Sequence, residues 1–165
     1  MGRTAPKAAG NVFYTARFEA AKYNERLYSR EGAADEVLID RSKLMKIELG
    51  TAVPNPDEVA QMADVYNSPG LKNTYCSTMC PLGSGLPKVV DDNLDRISVK
   101  ALATFRKVET AKELLLDISE DGIVDETEME DMNKIIATLT EIEQISAELK
   151  VFVAKQKGTA VRKGV

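Results

Sequence analysis

Three groups of residues in this chain are of the right type and spacing to do chemistry. In the first, Asp117, Ser119, Asp121, Asp125 and Glu128 stand at the first, third, fifth, ninth and twelfth places of a loop with Gly122 at the sixth. A hard cation such as calcium takes six to eight oxygen ligands in that spacing, with the carbonyl of Ile123 at the seventh place. A purely architectural reading stands beside it. Asp121-Gly122 is a helix-ending turn, and Asp125 with Glu128 forms the Asp-x-x-Glu of a capping box. Lys112 and Glu113 also fall where the helix entering a calcium loop carries apolar residues. The second group is Cys76 and Cys80, whose thiols share one face if they lie on a helix. Two thiolates are half of a zinc or iron–sulfur site, and the more ordinary use of such a pair is packing. The third group is four cations and a hydroxyl: Arg30, then Arg41, Ser42, Lys43 and Lys46.

Nothing else in the sequence argues for catalytic chemistry. The 165 residues contain no histidine, which removes the usual general base and every Ser–His or Cys–His pair. Gly83-x-Gly85 has no strand and helix around it to make a phosphate loop. The chain therefore reads as a non-enzyme with no cofactor. Two cysteines are no disulfide framework, and neither an apolar leader nor a run of 18 apolar residues occurs, which predicts a cytoplasmic protein without a membrane partner.

The elements that must position these groups are helices. Aromatic residues are 5% of the chain and tryptophan is absent, while Ala, Leu, Ile, Glu and Lys abound, so the expected fold class is all-α. Residues 1–13 are predicted to be a flexible arm. A first helix follows, with Phe18, Ala21 and Leu27 inward and Arg17, Lys22 and Arg26 on its other faces. Ser29 opens a second helix with Ala33, Ala34 and Val37 on its apolar side. Asp40 caps a third whose inner face is Leu44 and Ile47, and Gly50 closes it. Pro54-Asn55-Pro56-Asp57 begins a fourth with Val59, Met62, Ala63 and Tyr66 buried, and Asn67-Ser68-Pro69-Gly70 ends it. Residues 73–92 read as a Cys/Pro/Gly connector. Residues 93–157 read as a helical hairpin with apolar stripes at Leu94, Ile97, Ala101, Phe105, Val108, Ala111 and Leu115, then at Met132, Ile135, Leu139, Ile142, Ile145, Leu149 and Phe152. A disordered tail is expected at 158–165.

Residues 14–72 carry a resemblance as well. Ser29, Ala34, the turn at Val37 and Ile39, Ile47-Glu48 with Gly50, Pro54, and Met62-Ala63 stand without a gap in the register of the phage-repressor-type (Cro-like, XRE-type) helix-turn-helix transcriptional regulators. The resemblance implies a four-to-five-helix DNA-binding domain with its recognition helix at about residues 41–49. Two features depart from the family pattern: Leu38 where a turn glycine is usual, and Asp40 at the groove-facing helix start.

The physics of the segment agrees with that implication. A small Ala34 lets two short helices cross closely, and a major groove is wide enough to admit one of them. Arg41, Ser42, Lys43 and Lys46 would then contact bases and phosphates of double-stranded DNA, and Arg30 the backbone. Net charge is −4, yet residues 1–88 carry 11 Lys/Arg against 10 Asp/Glu, so the acidity lies in the second half. The hairpin is the expected seat of a homodimer. The alternative is a protein-interaction adaptor or antirepressor that keeps the fold without binding DNA.

Overall fold

Short polar side chains fix where the first helices start. Asn11 accepts hydrogen bonds from the backbone N–H groups of Phe13 and Tyr14 and opens α1, Val12–Ala21. Ser29 accepts from Gly32 and opens α2, Arg30–Val37. Asp40 accepts from Lys43 and opens α3, Arg41–Glu48. Asn55 and Glu58 satisfy each other's backbone N–H groups in a capping box at the start of α4, Pro56–Val65, with Pro56 where its missing N–H is not needed. Further on lie α5, Gly70–Thr78, then α6, Leu94–Ile118, and α7, Met129–Arg162. Short 3-10 turns span Glu25–Tyr28 and Pro81–Gly83. The computed structural model describes residues 8–90, 93–118 and 125–162, and among them the fold is all-α.

The chain divides into two compact units, one holding residues up to Leu86 together with the stretch from Ala154, the other Pro87–Val153. The core of the first unit gathers Phe13, Ala20, Ala21, Leu27, Ala33, Ala34, Val37, Ile39, Leu44, Ile47, Val59, Met62, Ala63, Tyr66 and Leu71. Apolar positions predicted for α2, α3 and α4 are all among them. At Gly50, the φ of +72° lets the chain leave α3 in the left-handed conformation, while the Lys46 carbonyl takes the N–H groups of Thr51 and Ala52.

Several expectations for this unit are corrected. Part of the predicted arm is folded: Ala8 is fully buried, its carbonyl accepts the N–H of Asn11, and α1 is under way by Val12. Leu27 sits in the 3-10 turn rather than on α1. Residues up to Thr78, expected to be connector, form α5, because Leu71 and Tyr75 lie one helical turn apart and both pack on the core. Residues 158–162, expected to be disordered tail, continue α7. Gly158 brings the helix backbone against the Asn67 side chain, which donates to the carbonyl of Lys155 and the hydroxyl of Thr159.

In the second unit α6 and α7 meet along a seam narrower than the predicted stripes. Ile97, Ala101 and Ile145 form one small core, and Ala111, Ile118 and Ile135 another. Thr104, Thr138 and Glu148 are buried on the same seam, whereas Leu94, Phe105, Leu115 and Leu139 are exposed. One partner helix covers only one strip of a helix surface, so an apolar band wider than that strip stays outside. Polar bridges set the pairing: Lys100 with Glu148 at 3.2 Å, Thr104 with Glu141 at 2.9 Å, and Lys107 with Glu141 at 2.6 Å. The hydrogen bond from Lys107, helped by that from Thr104, holds the Glu141 carboxyl below its ordinary pKa.

Candidate nucleic-acid interface

The residues predicted to meet DNA lie on or beside α3, and its position is fixed from behind by an ionic cluster. Leu44, Ile47 and Glu48 make up the buried face of α3, with Glu48 wholly inaccessible. Its carboxylate takes two hydrogen bonds from Arg17 of α1, Nε to Oε1 at 2.5 Å and Nη2 to Oε2 at 3.0 Å. Arg17 is itself only 2% exposed and spends Nη1 on the carbonyls of Leu27 and Tyr28. Its guanidinium also stacks near the rings of Phe18 and Tyr14, 4.9 Å and 5.4 Å from their centroids. Arg30 at the start of α2 gives Nε to Glu48 Oε2 at 2.7 Å. Asn11 adds a hydrogen bond from Nδ2 to the Ile47 carbonyl. One buried carboxylate thus ties α1, α2 and α3 together.

This cluster corrects the placement of Arg17, which was expected on an outer face of the first helix. It falls four residues after Phe13 and three before Ala20, so it shares their buried side, and a charge there requires a buried counter-charge. Nearby, the Tyr66 hydroxyl is buried without a hydrogen-bond partner among the described residues. Burial foremost, and then the Glu48 charge, push its pKa far up, with Arg17 opposing.

The predicted contact residues separate into two sets. Arg41, Ser42 and Lys46 are exposed, and their side chains make no hydrogen bond or ion pair among the described residues. Ser42 and Lys46 stand one turn apart, opposite Leu44, Ile47 and Glu48. Lys43, in contrast, turns to Glu58 of α4, Nζ to Oε1 at 2.5 Å, and Arg30 is 28% exposed with its Nε already engaged. Asp40 is exposed but committed to the Lys43 N–H as the cap.

The turn between α2 and α3 holds Leu38 in the left-handed conformation, φ 54° and ψ 38°, with its side chain 80% exposed. The Ala34 carbonyl accepts the N–H groups of both Leu38 and Ile39, which closes α2. A leucine here pays the steric cost of that conformation, about 1–2 kcal/mol, with no burial in return. Leu38→Gly is therefore expected to raise stability by about 1 kcal/mol or less, the added freedom of glycine in the unfolded chain taking back part of the gain. A urea titration of both proteins reads this as a shift of midpoint at unchanged slope.

No protein-family model, curated protein or solved structure matches this chain.

The two other candidate sites are partly visible. Of the calcium-loop residues, Ser119 and Asp121 lie outside the described residues. Asp117 is exposed, while Asp125 and Glu128 form the capping box of the architectural reading: Asp125 Oδ1 accepts from the Glu128 N–H and Glu128 Oε2 from the Asp125 N–H, each at 3.1 Å. Hydrogen bonds from the Thr127 hydroxyl and N–H, with that from Glu128, hold the Asp125 carboxyl below its ordinary pKa. Among the described residues no three His, Cys, Asp or Glu side chains gather as a metal site. Cys76 lies on α5 and Cys80 just beyond its end, both free thiols and half-buried. No described helix is long and apolar enough to cross a membrane.

Proposed function

We propose that the protein is a sequence-specific, repressor-like DNA-binding transcriptional regulator in which α2, the Leu38 turn and α3 are a helix-turn-helix and α3 enters the major groove. The observation that carries this reading is the exposed, unengaged set of Arg41 at the first residue of α3 and Ser42 and Lys46 on its outward side, on a helix whose inward side is locked by Arg17–Glu48. Unpaired cations on a rigidly held helix are what base edges and phosphates require, because a contact group already spent on a protein carboxylate must break that bond first. Arg41 reads bases, Ser42 and Lys46 take bases or phosphate, and Arg30 offers the edge of its guanidinium to the backbone. Lys43 contributes only after leaving Glu58.

A homodimer goes with this reading. Val99, Leu102, Phe105 and Leu116 on α6 and Ile136 and Leu139 on α7 are each more than half exposed, a band of apolar surface that two copies would cover for one another. A two-fold axis predicts a palindromic operator with half-sites about one helical turn apart.

The test is selection of bound sequences from random duplex DNA by the full chain at two salt concentrations. The expected result is a palindrome, with affinity falling steeply as salt rises. Arg41→Ala is expected to lose about 1–3 kcal/mol of discrimination at one base pair of each half-site, measured as the ratio of affinities for the selected and mismatched duplexes. Absence of any enriched sequence together with salt-insensitive behaviour sinks the reading. The same exposed band on α6 and α7 then favours the adaptor or antirepressor, in which those helices bind another protein.

A further inference from the structure

We propose that Cys76 and Cys80 are a redox-sensitive dithiol that closes reversibly to an intramolecular disulfide by exchange with a low-molecular-weight disulfide such as oxidised glutathione.

The geometry begins with the backbone. Where Cys80 sits relative to Cys76 is set by the dihedral angles of residues 76–79. Three of these lie in α5, and the fourth, Met79, remains right-handed at φ −120° and ψ −29°. The chain departs only at Cys80 itself, φ −85° and ψ 122°. The N–H groups of both Met79 and Cys80 reach the Tyr75 carbonyl, at 2.9 and 3.0 Å, so the trace is still wound at Cys80. Helical winding over four residues puts the two Cα atoms about 6 Å apart, inside the 4.4–6.8 Å that a disulfide spans.

A second feature holds the pair together. Gly83 donates its N–H to the Cys80 carbonyl at 3.0 Å, and its Cα presses on the Cys76 carbonyl so closely that a Cβ there would overlap it. The buried backbone of Gly83 therefore clamps both cysteines into one turn, and both residues are half-buried rather than closed off in the core.

That turn also explains why the bond is reversible. Side chains four apart on a helix have Cβ atoms about 5–6 Å apart, whereas a disulfide wants about 3.5–4.5 Å, so closure must tighten the last turn of α5. A bond that strains its surroundings is readily reduced, which is the property of a regulatory disulfide rather than a structural one. The step balances as ordinary exchange. One cysteine thiolate attacks the small disulfide and expels one thiol; the second cysteine then attacks the mixed disulfide and expels the other. Two protein thiols are oxidised and one small disulfide becomes two thiols.

The experiment equilibrates the full chain in glutathione buffers of graded oxidised-to-reduced ratio, quenches with acid, alkylates, and measures intact mass and the tryptic peptide of residues 73–88, which holds both cysteines. The expected result is loss of both alkylation sites together, without a glutathione adduct or a cross-linked dimer, and their return on shifting to reducing buffer. Cys76→Ser and Cys80→Ser are expected each to accumulate the mixed disulfide, since the resolving thiol is gone. Wild-type protein that stays fully alkylated, holds a stable glutathione adduct or links two chains overturns the proposal.

Discussion

Glu48→Ala is expected to lower the unfolding free energy by about 3–5 kcal/mol, as measured by urea denaturation of the full chain, because it strands a buried guanidinium. Arg17 is 2% exposed and donates two of its hydrogen bonds to that carboxylate, so the variant leaves those two N–H groups buried without their acceptor. Against a total stability of about 5–15 kcal/mol, a loss of that size brings a small domain near its unfolding threshold. The cost belongs to the orphaned charge and not to the ion pair as such. The joint replacement Arg17→Met with Glu48→Leu is accordingly expected to cost far less than the sum of the two single replacements, the remaining loss coming from the Leu27 and Tyr28 carbonyls that Arg17 Nη1 no longer satisfies. Arg30→Ala alone should cost much less, since Glu48 keeps both bonds to Arg17 and Arg30 is partly in water. A loss below about 1 kcal/mol for Glu48→Ala would mean that Arg17 finds water or a new partner, and that the cluster does not hold α3 in place.

The same cluster marks where the sequence could be read and where it could not. Helix starts at Ser29, Asp40 and Asn55 were legible because a cap is a contract among neighbours: the side chain and the N–H it satisfies lie within three residues. The inner faces of α2, α3 and α4 were legible for a similar reason, since periodicity is local. Arg17 was not, because an arginine at a helical position ordinarily means a solvated face, and its partner stands 31 residues away. A signal was present all the same. Glu48 directly follows Ile47 on the side of α3 that Leu44 defines, and Arg17 falls on the side of Phe13 and Ala20. Two opposite charges, each on a core face, are expected to find one another.

The missed α5 and the ordered end of α7 fail by a different route. Glycines and prolines from residue 81 onward made the whole stretch read as connector, although Leu71 and Tyr75 already carried the helical spacing. For α7, the decisive contact is between Asn67 and Thr159, 92 residues apart, with Gly158 chosen for what approaches it rather than for breaking the helix. On the hairpin, periodicity gave the right helices and too broad a buried face. Which apolar residues stay outside is decided by pairs such as Thr104–Glu141 and Lys100–Glu148 that no single helix reveals.

Leu44→Ala carries the second large effect and separates scaffold from contact. Leu44 is fully buried in the core beneath α3, and truncating it removes transfer free energy and leaves a cavity, a loss of about 2–5 kcal/mol in unfolding free energy. Its side chain points away from Ser42 and Lys46, so the folded variant keeps their arrangement. Apparent affinity falls only by the fraction of molecules that is folded, and even about 2 kcal/mol of remaining stability keeps most of the chains native. Under the proposed DNA-binding reading, Leu44→Ala should thus be markedly less stable yet bind the selected duplex within a few-fold of the parent at temperatures well below its melting point. Arg41→Ala should show the reverse, with stability nearly unchanged because the side chain is exposed and unpaired. If Leu44→Ala instead lost discrimination between duplexes while still folded, the outward face of α3 would depend on the fine packing beneath it. The Arg17–Glu48 anchor would then not be sufficient to orient the helix.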